Sequence, residues 1–443
     1  NKRFSIMFDN KSDKLLLEME EDDAAPEDQH PRCEHGPTVL FNRQSQLPDQ
    51  GYYACSAHRD SKLCNYHLPA DQWKGQTTRT ALTKRDYPLP CRKPANPAIC
   101  DPTLSLTALS QDKVNAQYFF DEAALNFLAN QCEHIGASKV ICMGAPRLHF
   151  HLRHKLQSFL LDLDERFAEY LGPEEFCLYN MCNNHFFYDR TPFEQFLAGT
   201  SSDRLVIVTD PPFGCRTELI SHTLRSLRKL HNQINRLPST PLSIFWIYPY
   251  YSANHIRQEM PELEMCEYRI NYTNHLRYTN VGKQSRFCGS PVRLFTNVPL
   301  RLLQLPPEEG YKYCQKCDCY TAKENLHCNR CGKCPSVNGQ TYKHCESCDA
   351  CVKPNYVHCS DCRRCTQKEG HNCSFYQTKQ HCWMCGQKGH IETKCPNFRK
   401  RKTNYTKGCL LCGKRNHREK RCSYRSKYFR EQCFMNETTI QCL

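Results

Sequence analysis

No apolar run in the 443 residues approaches the ~20 needed to cross a membrane, and mean hydropathy is −0.71, so no membrane span is expected. Glycine is sparse at the place where a dinucleotide fold would need it most. Gly144 stands alone after the apolar Lys139-Val-Ile-Cys-Met143, without the Gly-x-Gly-x-Gly loop that would announce a cofactor turn. Residues 71–113 are rich in Pro and Thr and carry no Cys-x-x-Cys, which excludes a compact metal finger there and leaves a linker. Cysteine, by contrast, is abundant at 33. Its spacing is that of metal sites rather than a disulfide framework, which favours a reducing compartment.

Charge is unevenly spread. Between Lys379 and Arg430 sixteen Lys/Arg face two acids, Glu392 and Glu419, a surplus equal to the formal +14 of the whole chain. Positive charge gathered at one end implies a polyanion partner, with nucleic acid as the first reading and a solvated basic tail as the bland one. Residues 1–29 are acidic and read as disordered.

Metal motifs occupy both ends. Cys33, His35, Cys55 and Cys64 supply four ligands in residues 30–70, with His58 competing and Cys91 and Cys100 unassigned. From Cys314 to Cys373, within residues 306–376, one rule sorts the ligands: a Cys-x-x-Cys pair, a later His, and a Cys beyond it. The sets are Cys314, Cys317, His327 and Cys334; Cys328, Cys331, His344 and Cys351; Cys345, Cys348, His358 and Cys365; Cys359, Cys362, His371 and Cys373. They interleave, leaving Cys319 over. Two tighter motifs follow with identical spacing: Cys382, Cys385, His390 and Cys395 (residues 380–397), and Cys409, Cys412, His417 and Cys422 (residues 409–423). Both are zinc knuckles, modules that read single-stranded RNA. The linker 398–408 contains Arg399-Lys-Arg-Lys402, suited to tracking phosphates, and a basic tail covers 424–443. About seven structural Zn2+ sites result, each Cys3His, and full loading would lower the formal charge to about +7.

The central stretch, residues 114–305, alternates helical and strand patterns. A helix is expected from Asp121 to His134, then strands at Lys139–Met143 and Ser158–Asp164. An acid at the end of the second strand commonly holds ribose hydroxyls, making Asp162 the first candidate and Asp164 the second, against a solvated turn. Cys177-Leu-Tyr-Asn180-Met181 could frame an adenine, and Asn183, His185, Phe186 and Phe187 suit either a pocket loop or buried packing. Leu205–Val208 reads as a buried parallel strand that Pro211 and Pro212 end abruptly, leaving Asp210 and Phe213 at its carboxyl end. A long amphipathic helix is expected from Thr217 to Leu237, then strands at Leu242–Tyr248, Tyr268–Tyr272 and Val292–Thr296.

Asp210-Pro211-Pro212-Phe213 resembles the catalytic motif of amino-group methyltransferases that use S-adenosylmethionine. The chemistry suits the residue types. An exocyclic amine is a poor nucleophile; Asp210 and the Pro211 carbonyl can accept its two N–H bonds, while Phe213 stacks on an extruded base. A strand-terminating turn is the plain alternative. The count and order of elements match an α/β, Rossmann-like class I methyltransferase with a seven-stranded sheet, flanked by small zinc-stabilised domains.

The whole order of parts resembles the zinc-finger-CCHC-containing rRNA N6-adenosine methyltransferases: a GRF-type finger, a methyltransferase domain, a ladder like the DHHC finger, then CCHC knuckles. Gly-Ala-Pro-Arg-Leu-His, Tyr-Asn-Met, Val-Thr-Asp-Pro-Pro-Phe-Gly, Ile-Phe-Trp-Ile and Ser-Pro-Val-Arg-Leu-Phe-Thr-Asn carry the likeness. It implies an S-adenosyl-L-methionine pocket at Gln117, Tyr118, Phe119, Phe120, Arg147, Asp162, Asn180 and Met181, with Asp210 to Phe213 catalytic; the local reading adds Gly144, Asp164 and Asp210 to the cofactor's surroundings. It also implies N6 methylation of one adenosine in large-subunit rRNA, in the nucleus and nucleolus with the cytoplasm open. A structured rRNA is the partner, with ribosome-assembly or RNA-helicase proteins beside it, and the enzyme is expected to be a monomer. This chain departs from the pattern in its finger-free linker and its second knuckle. Competing readings are a DNA or cytosine-amine methyltransferase and a non-catalytic RNA scaffold. A protein acyltransferase is discounted, since Val357-His358-Cys359 stands where Asp-His-His-Cys would be required.

Overall fold

The computed structural model describes residues 30–41, 51–56, 64–74, 101–106, 108, 117–199, 204–275, 290–360 and 364–367. The acidic start, most of the linker with Cys91 and Cys100, His58, the ligands Cys362, His371 and Cys373, both knuckles, and the basic linker and tail lie outside them. The chain divides into two compact units, residues 1–323 with 337–339, and residues 324–336 with 340–443.

The first unit is built on Lys139–Met143 (β1), Gln157–Asp162 (β2), Phe176–Asn180 (β3), His185–Phe186 (β4), Leu205–Thr209 (β5), Ser243–Pro249 (β6), Glu264–Cys266 (β7) and Val292–Thr296 (β8). Its helices are Glu122–His134 (α1), Pro146–Leu152 (α2), Thr191–Leu197 (α3), Thr217–Ile234 (α4) and Ala253–Glu259 (α5). The sheet order is β7-β8-β6-β5-β1-β2-β3-β4. Strands β6, β5, β1, β2 and β3 run parallel, and β8 is antiparallel to both β6 and β7.

Every residue of β1, β5 and β8 is buried, as strands covered on both faces require. Alternation assigns them to two cores. Val140, Cys142, Val206, Val208 and Phe245 pack with Leu125 and Leu128 of α1 and Leu148 of α2. Ile141, Met143, Ile207, Ile244 and Trp246 pack with Phe193 of α3, Ile220 and Leu224 of α4 and Ile256 of α5. Each such side chain contributes roughly 1.5–3 kcal/mol by leaving water.

The helix expected from Asp121 forms with Asp121 as its cap, the carboxylate accepting the Ala124 N–H at 2.9 Å. Three expectations shift. The second strand stops at Asp162, because Asp164 instead caps a 3-10 turn over Glu165–Glu169. The strand expected at Tyr268–Tyr272 does not form; only Tyr272 bridges, to Phe120, and the sheet position belongs to Glu264–Cys266. The expected count of seven is kept with Glu264–Cys266 as the displaced member, and the two-residue β4 adds an eighth at the edge by pairing antiparallel with β3.

Two zinc-ligand segments belong to this same unit. The amino-terminal one pairs Arg32–Cys33 with Gly36–Pro37 and adds a three-stranded sheet of Val39–Phe41, Tyr52–Ala54 and His67–Pro69. Val39 packs on Leu219 of α4, and the Asn183 amide donates to the Pro37 carbonyl at 2.7 Å. The hairpin of Tyr311–Cys314 and Cys319–Ala322, assigned by spacing to the ladder, packs into the sheet's core through Tyr311. The Tyr311 hydroxyl accepts the Arg269 N–H at 3.0 Å, and the Glu267 carboxylate accepts the Ala322 N–H at 2.7 Å.

The second unit is a run of hairpins. Lys343–Cys345 pairs with Ala350–Val352, and Tyr356–Cys359 with Arg364–Gln367. None of the buried hydrophobic residues lies among its described residues.

Candidate active site and zinc sites

The carboxyl ends of β1, β2, β3 and β5 open into one cavity of about 400 Å³, within the range of small-molecule sites. Gln117, Tyr118, Gly144, Asp162, Asp164, Asn180, Met181 and Asp210 to Phe213 all line it. Parallel register produces this convergence: β5 lies beside β1 with Thr209 opposite Met143, so Asp210 emerges next to Gly144. The Asp210 N–H donates to the Met143 carbonyl at 3.1 Å, which fixes the strand's exit.

Gly144 has φ +67°, and a Cβ there would stand 2.5 Å from Met181 Cε and 3.1 Å from the Asp210 carbonyl oxygen. A side chain would therefore fill the cradle as well as strain the backbone. One glycine suffices where the full loop is missing.

The two acids after β2 have different work. Asp164 is saturated: Arg166 Nε reaches Oδ1 at 2.8 Å, Arg166 Nη2 reaches Oδ2 at 2.6 Å, and Gln117 donates to Oδ2 at 3.1 Å. Asp162 is buried, and one oxygen accepts the Asp164 N–H at 2.9 Å. Burial pushes the Asp162 carboxyl up to about 7, against the pull of that N–H. Asp162 is thus the better placed of the two to meet ribose hydroxyls. Asn180 is also buried; its Oδ1 accepts the Cys182 N–H, and its Nδ2 has no hydrogen-bond partner.

These features fit S-adenosylmethionine. An unpartnered amide donor suits a purine nitrogen, a buried carboxylate suits a diol, and the glycine cradle admits close approach.

Asp210 sits under opposing influences. Burial drives its carboxyl well above the usual range, and a hydrogen bond from the Tyr272 hydroxyl, 2.8 Å from Oδ1, works the other way. Phe213 lies near parallel to Tyr118, centroids 6.4 Å apart, and edge-on to Tyr248. The Tyr248 hydroxyl donates to the carbonyls of Phe213 at 3.1 Å and Cys215 at 2.6 Å, pinning the turn after the motif.

Phe119, Phe120 and Arg147, expected in the cofactor pocket, stand behind its wall. Phe120 bridges Tyr272, and Arg147 donates to the Phe120 carbonyl at 2.7 Å. They hold the segment that presents Gln117 and Tyr118. Of the proposed loop, Phe187 lines the cavity and Phe186 packs in the core, while Asn183 and His185 face the amino-terminal zinc module. Sequence reasoning missed Tyr248, Asn274 and the pocket face of His35; Tyr272 was taken only as a strand residue. Asn274 accepts the Phe119 N–H and donates to the Gln117 carbonyl, tying residues 117–120 to residues 272–275. No local pattern marks such a pair 155 residues apart.

Three of the ligand sets come together inside a unit: Cys33, His35, Cys55 and Cys64; Cys328, Cys331, His344 and Cys351; and Cys345, Cys348, His358 and Cys365. In each, the ligand atoms lie within 4.8 Å of one another. Cys331 Sγ to His344 Nδ1 is 3.4 Å, Cys331 to Cys351 is 3.6 Å, and Cys348 to His358 Nδ1 is 3.2 Å. Such separations are close to the edges of a zinc tetrahedron with Zn–S ~2.3 Å and Zn–N ~2.0 Å. In the first ladder set, Cys314 and Cys317 belong to the first unit, and His327 and Cys334 to the second.

Interleaving follows from the pleat. Neighbouring strand residues point to opposite faces, so His344 serves one site and Cys345 the next. After each pair the chain turns through a left-handed residue, Asp318 (φ 52°), Gly332 (φ 63°) or Asp349 (φ 46°), which Gly and Asp tolerate best.

Comparison with known proteins agrees with the geometry. A family model described as probable N6-adenine methyltransferase matches residues 111–299. The Homo sapiens rRNA N(6)-adenosine-methyltransferase ZCCHC4 is 35% identical over 437 residues, covering 84% of this chain and 83% of the relative. The Xenopus tropicalis protein of that name is 33% identical over 374 residues, covering 71% and 75%. The Mus musculus protein is 34% identical over 358 residues, covering 67% and 70%. With a cavity lined by an Asp-Pro-Pro-Phe motif and identity sustained over most of both chains, this chain belongs to the ZCCHC4 family of rRNA N(6)-adenosine methyltransferases.

Proposed function

We propose that the protein methylates N6 of one adenosine in large-subunit rRNA, acting in the nucleolus. The observation that carries this reading is the shared cavity, which Asp210 and Pro211 line together with Gly144, Asp162 and Asn180. When bound, S-adenosylmethionine supplies an electrophilic methyl group on its sulfonium. Asp162 would hold its ribose hydroxyls, and Asn180 and Met181 its adenine, with Gly144 leaving room for the chain between. On the other side, Asp210 and the Pro211 carbonyl would accept the two N–H bonds of the target amine. That draws its lone pair out of the ring and aims it across the cavity. Phe213, backed by Tyr118, offers a face to the extruded base. The Asp210 carboxyl, whose affinity for protons burial has raised, is a suitable acceptor for the proton that the methylated amine sheds.

The knuckles and Arg399–Lys402 would supply salt-dependent grip on RNA, and ribosome-assembly or RNA-helicase proteins would present the structured target. The test is mass spectrometry of rRNA nucleosides from cells lacking the protein. N6-methyladenosine should fall at one large-subunit position and return with wild type but not with Asp210→Ala. Unchanged N6-methyladenosine in every rRNA would refute the assignment.

A further inference from the structure

We propose that Tyr272 is a positioning residue for methyl transfer, dividing the two Asp210 oxygens between protein and substrate. The proposal rests on the reading of Asp210 as the amine acceptor. The Tyr272 hydroxyl is 2.8 Å from Oδ1, which leaves Oδ2 and the Pro211 carbonyl as the acceptor pair for the amine. Without that bond a carboxylate turns broadly about its last torsion, and either oxygen could meet the substrate at either angle.

Tyr272 is built not to move. It is 2% exposed, bridges Phe120, stacks on its ring at 5.3 Å and meets Phe213 edge-on at 6.1 Å. On either side, the Asn271 carbonyl accepts the Asp121 N–H at 3.1 Å, and the Thr273 N–H donates to the Phe119 carbonyl at 2.8 Å. The hydroxyl also favours the ionised carboxylate against burial. The other titratable groups around this point are Tyr118 and His275 on the two paired segments, Tyr248 on β6, and Asp162, Asp164 and His35 across the cavity. Among the described residues, the side chain that hydrogen-bonds the Asp210 carboxylate is Tyr272.

Tyr272→Phe should lower kcat about 10- to 100-fold, the range for losing a hydrogen bond to a charged group. KM for the cofactor should stay within about twofold, because Tyr272 does not line the cavity. The acid limb of kcat should move to higher pH, since removing a donor to the ionised form makes Asp210 harder to deprotonate. In an Asp210→Asn background the same change should cost less than about threefold. Wild-type kcat and pH profile in Tyr272→Phe would overturn the proposal, as would a fall in kcat that is equally large in the Asp210→Asn background. Wild-type protein without methyl transfer would instead defeat the parent reading.

A separate contact carries a second inference: we infer that Cys182 and Cys215 form a peroxide-oxidisable pair that shuts this same site. Their sulfurs are 3.2 Å apart and join the two loops that frame the cavity. Cys182 lines the cavity, so a small oxidant entering there reaches it. The Cys182 thiol gives up its proton and the resulting thiolate attacks hydrogen peroxide; the O–O bond breaks, leaving a sulfenic acid and a hydroxide that takes up that proton as water. The Cys215 thiol then displaces the hydroxyl as a second water and forms the S–S bond; two thiols and one peroxide become one disulfide and two waters. Closure to ~2.05 Å draws the turn at Pro212–Cys215 towards Asn180–Cys182.

Zinc-loaded protein treated with hydrogen peroxide, at doses that release no zinc, should yield a linked Cys182–Cys215 peptide in mass spectrometry. Methyl transfer should drop about tenfold or more and return with dithiothreitol. Cys215→Ser should keep basal activity and resist the peroxide. Absence of the linked peptide while zinc stays bound, or equal inactivation of Cys215→Ser, would overturn this inference.

Discussion

The catalytic sheet and the zinc ladder solve the same problem, holding short strands in register, with different physics. In the sheet, Ile207 and its neighbours on β5 are wholly buried between two layers of helices, and removal from water supplies the stability. In the ladder, each strand is three or four residues long and no buried aliphatic or aromatic side chain is found among the second unit's described residues. What closes it is a pair of interleaved cysteine–histidine clusters, helped by the reciprocal pair between the Asn325 amide and the Ser336 backbone.

Three experiments press on this contrast. Chelation should have the largest effect, because structural zinc supplies roughly 10–16 kcal/mol per site in small zinc modules. Residues 340–367 should become the first protease-cut segment and lose hydrogen-exchange protection, while β1, β5 and β6 stay protected. Protection lost equally in both would break the comparison. Next, Ile207→Ala should cost about 2–5 kcal/mol and lower Tm by roughly 5–15 °C, with zinc stoichiometry unchanged. Smallest is the response to acid, where the two regions should move in opposite directions. Protonation of thiolates and imidazoles expels zinc as pH falls. Asp162 behaves the other way: its folded value, about 7, lies above that of an ordinary carboxyl, so the folded state binds the proton more tightly. Its contribution to stability is therefore full in acid and lost as pH rises towards 7. Asp162→Asn should raise Tm at pH 8 by the equivalent of a few kcal/mol at most, with the gain vanishing near pH 4, and should weaken cofactor binding measured by calorimetry.

Much of this was legible in the chain. Leu205-Val-Ile-Val running into Asp-Pro-Pro declares a buried strand and its end, because proline chemistry is local. The ladder was legible because ligand spacing is a direct record of geometry, and the described sets fall where spacing puts them. Tyr268–Tyr272 misled, since an alternating aromatic stretch looks like a ladder strand whether or not a neighbour is there to pair with. Tyr311 was assigned by its zinc neighbours although its ring belongs to the sheet's core. Tyr272 on Asp210 and Asn274 on Gln117 depend on contacts between distant segments, which no window of sequence contains.

The seat of Gly36 on the rim of β4 has a consequence for how the protein is made. A Cβ there would lie 2.5 Å from the His185 ring, and the Asn183–Pro37 bond spans 146 residues. A ribosome releases the metal-binding start long before it has synthesised the strand on which that start must rest. Until then Val39 has no Leu219 to cover it. At ordinary elongation speeds of ~5–20 residues per second those 146 residues take roughly 7–30 s, and over that interval the early segment has no Asn183 or His185 edge to rest on.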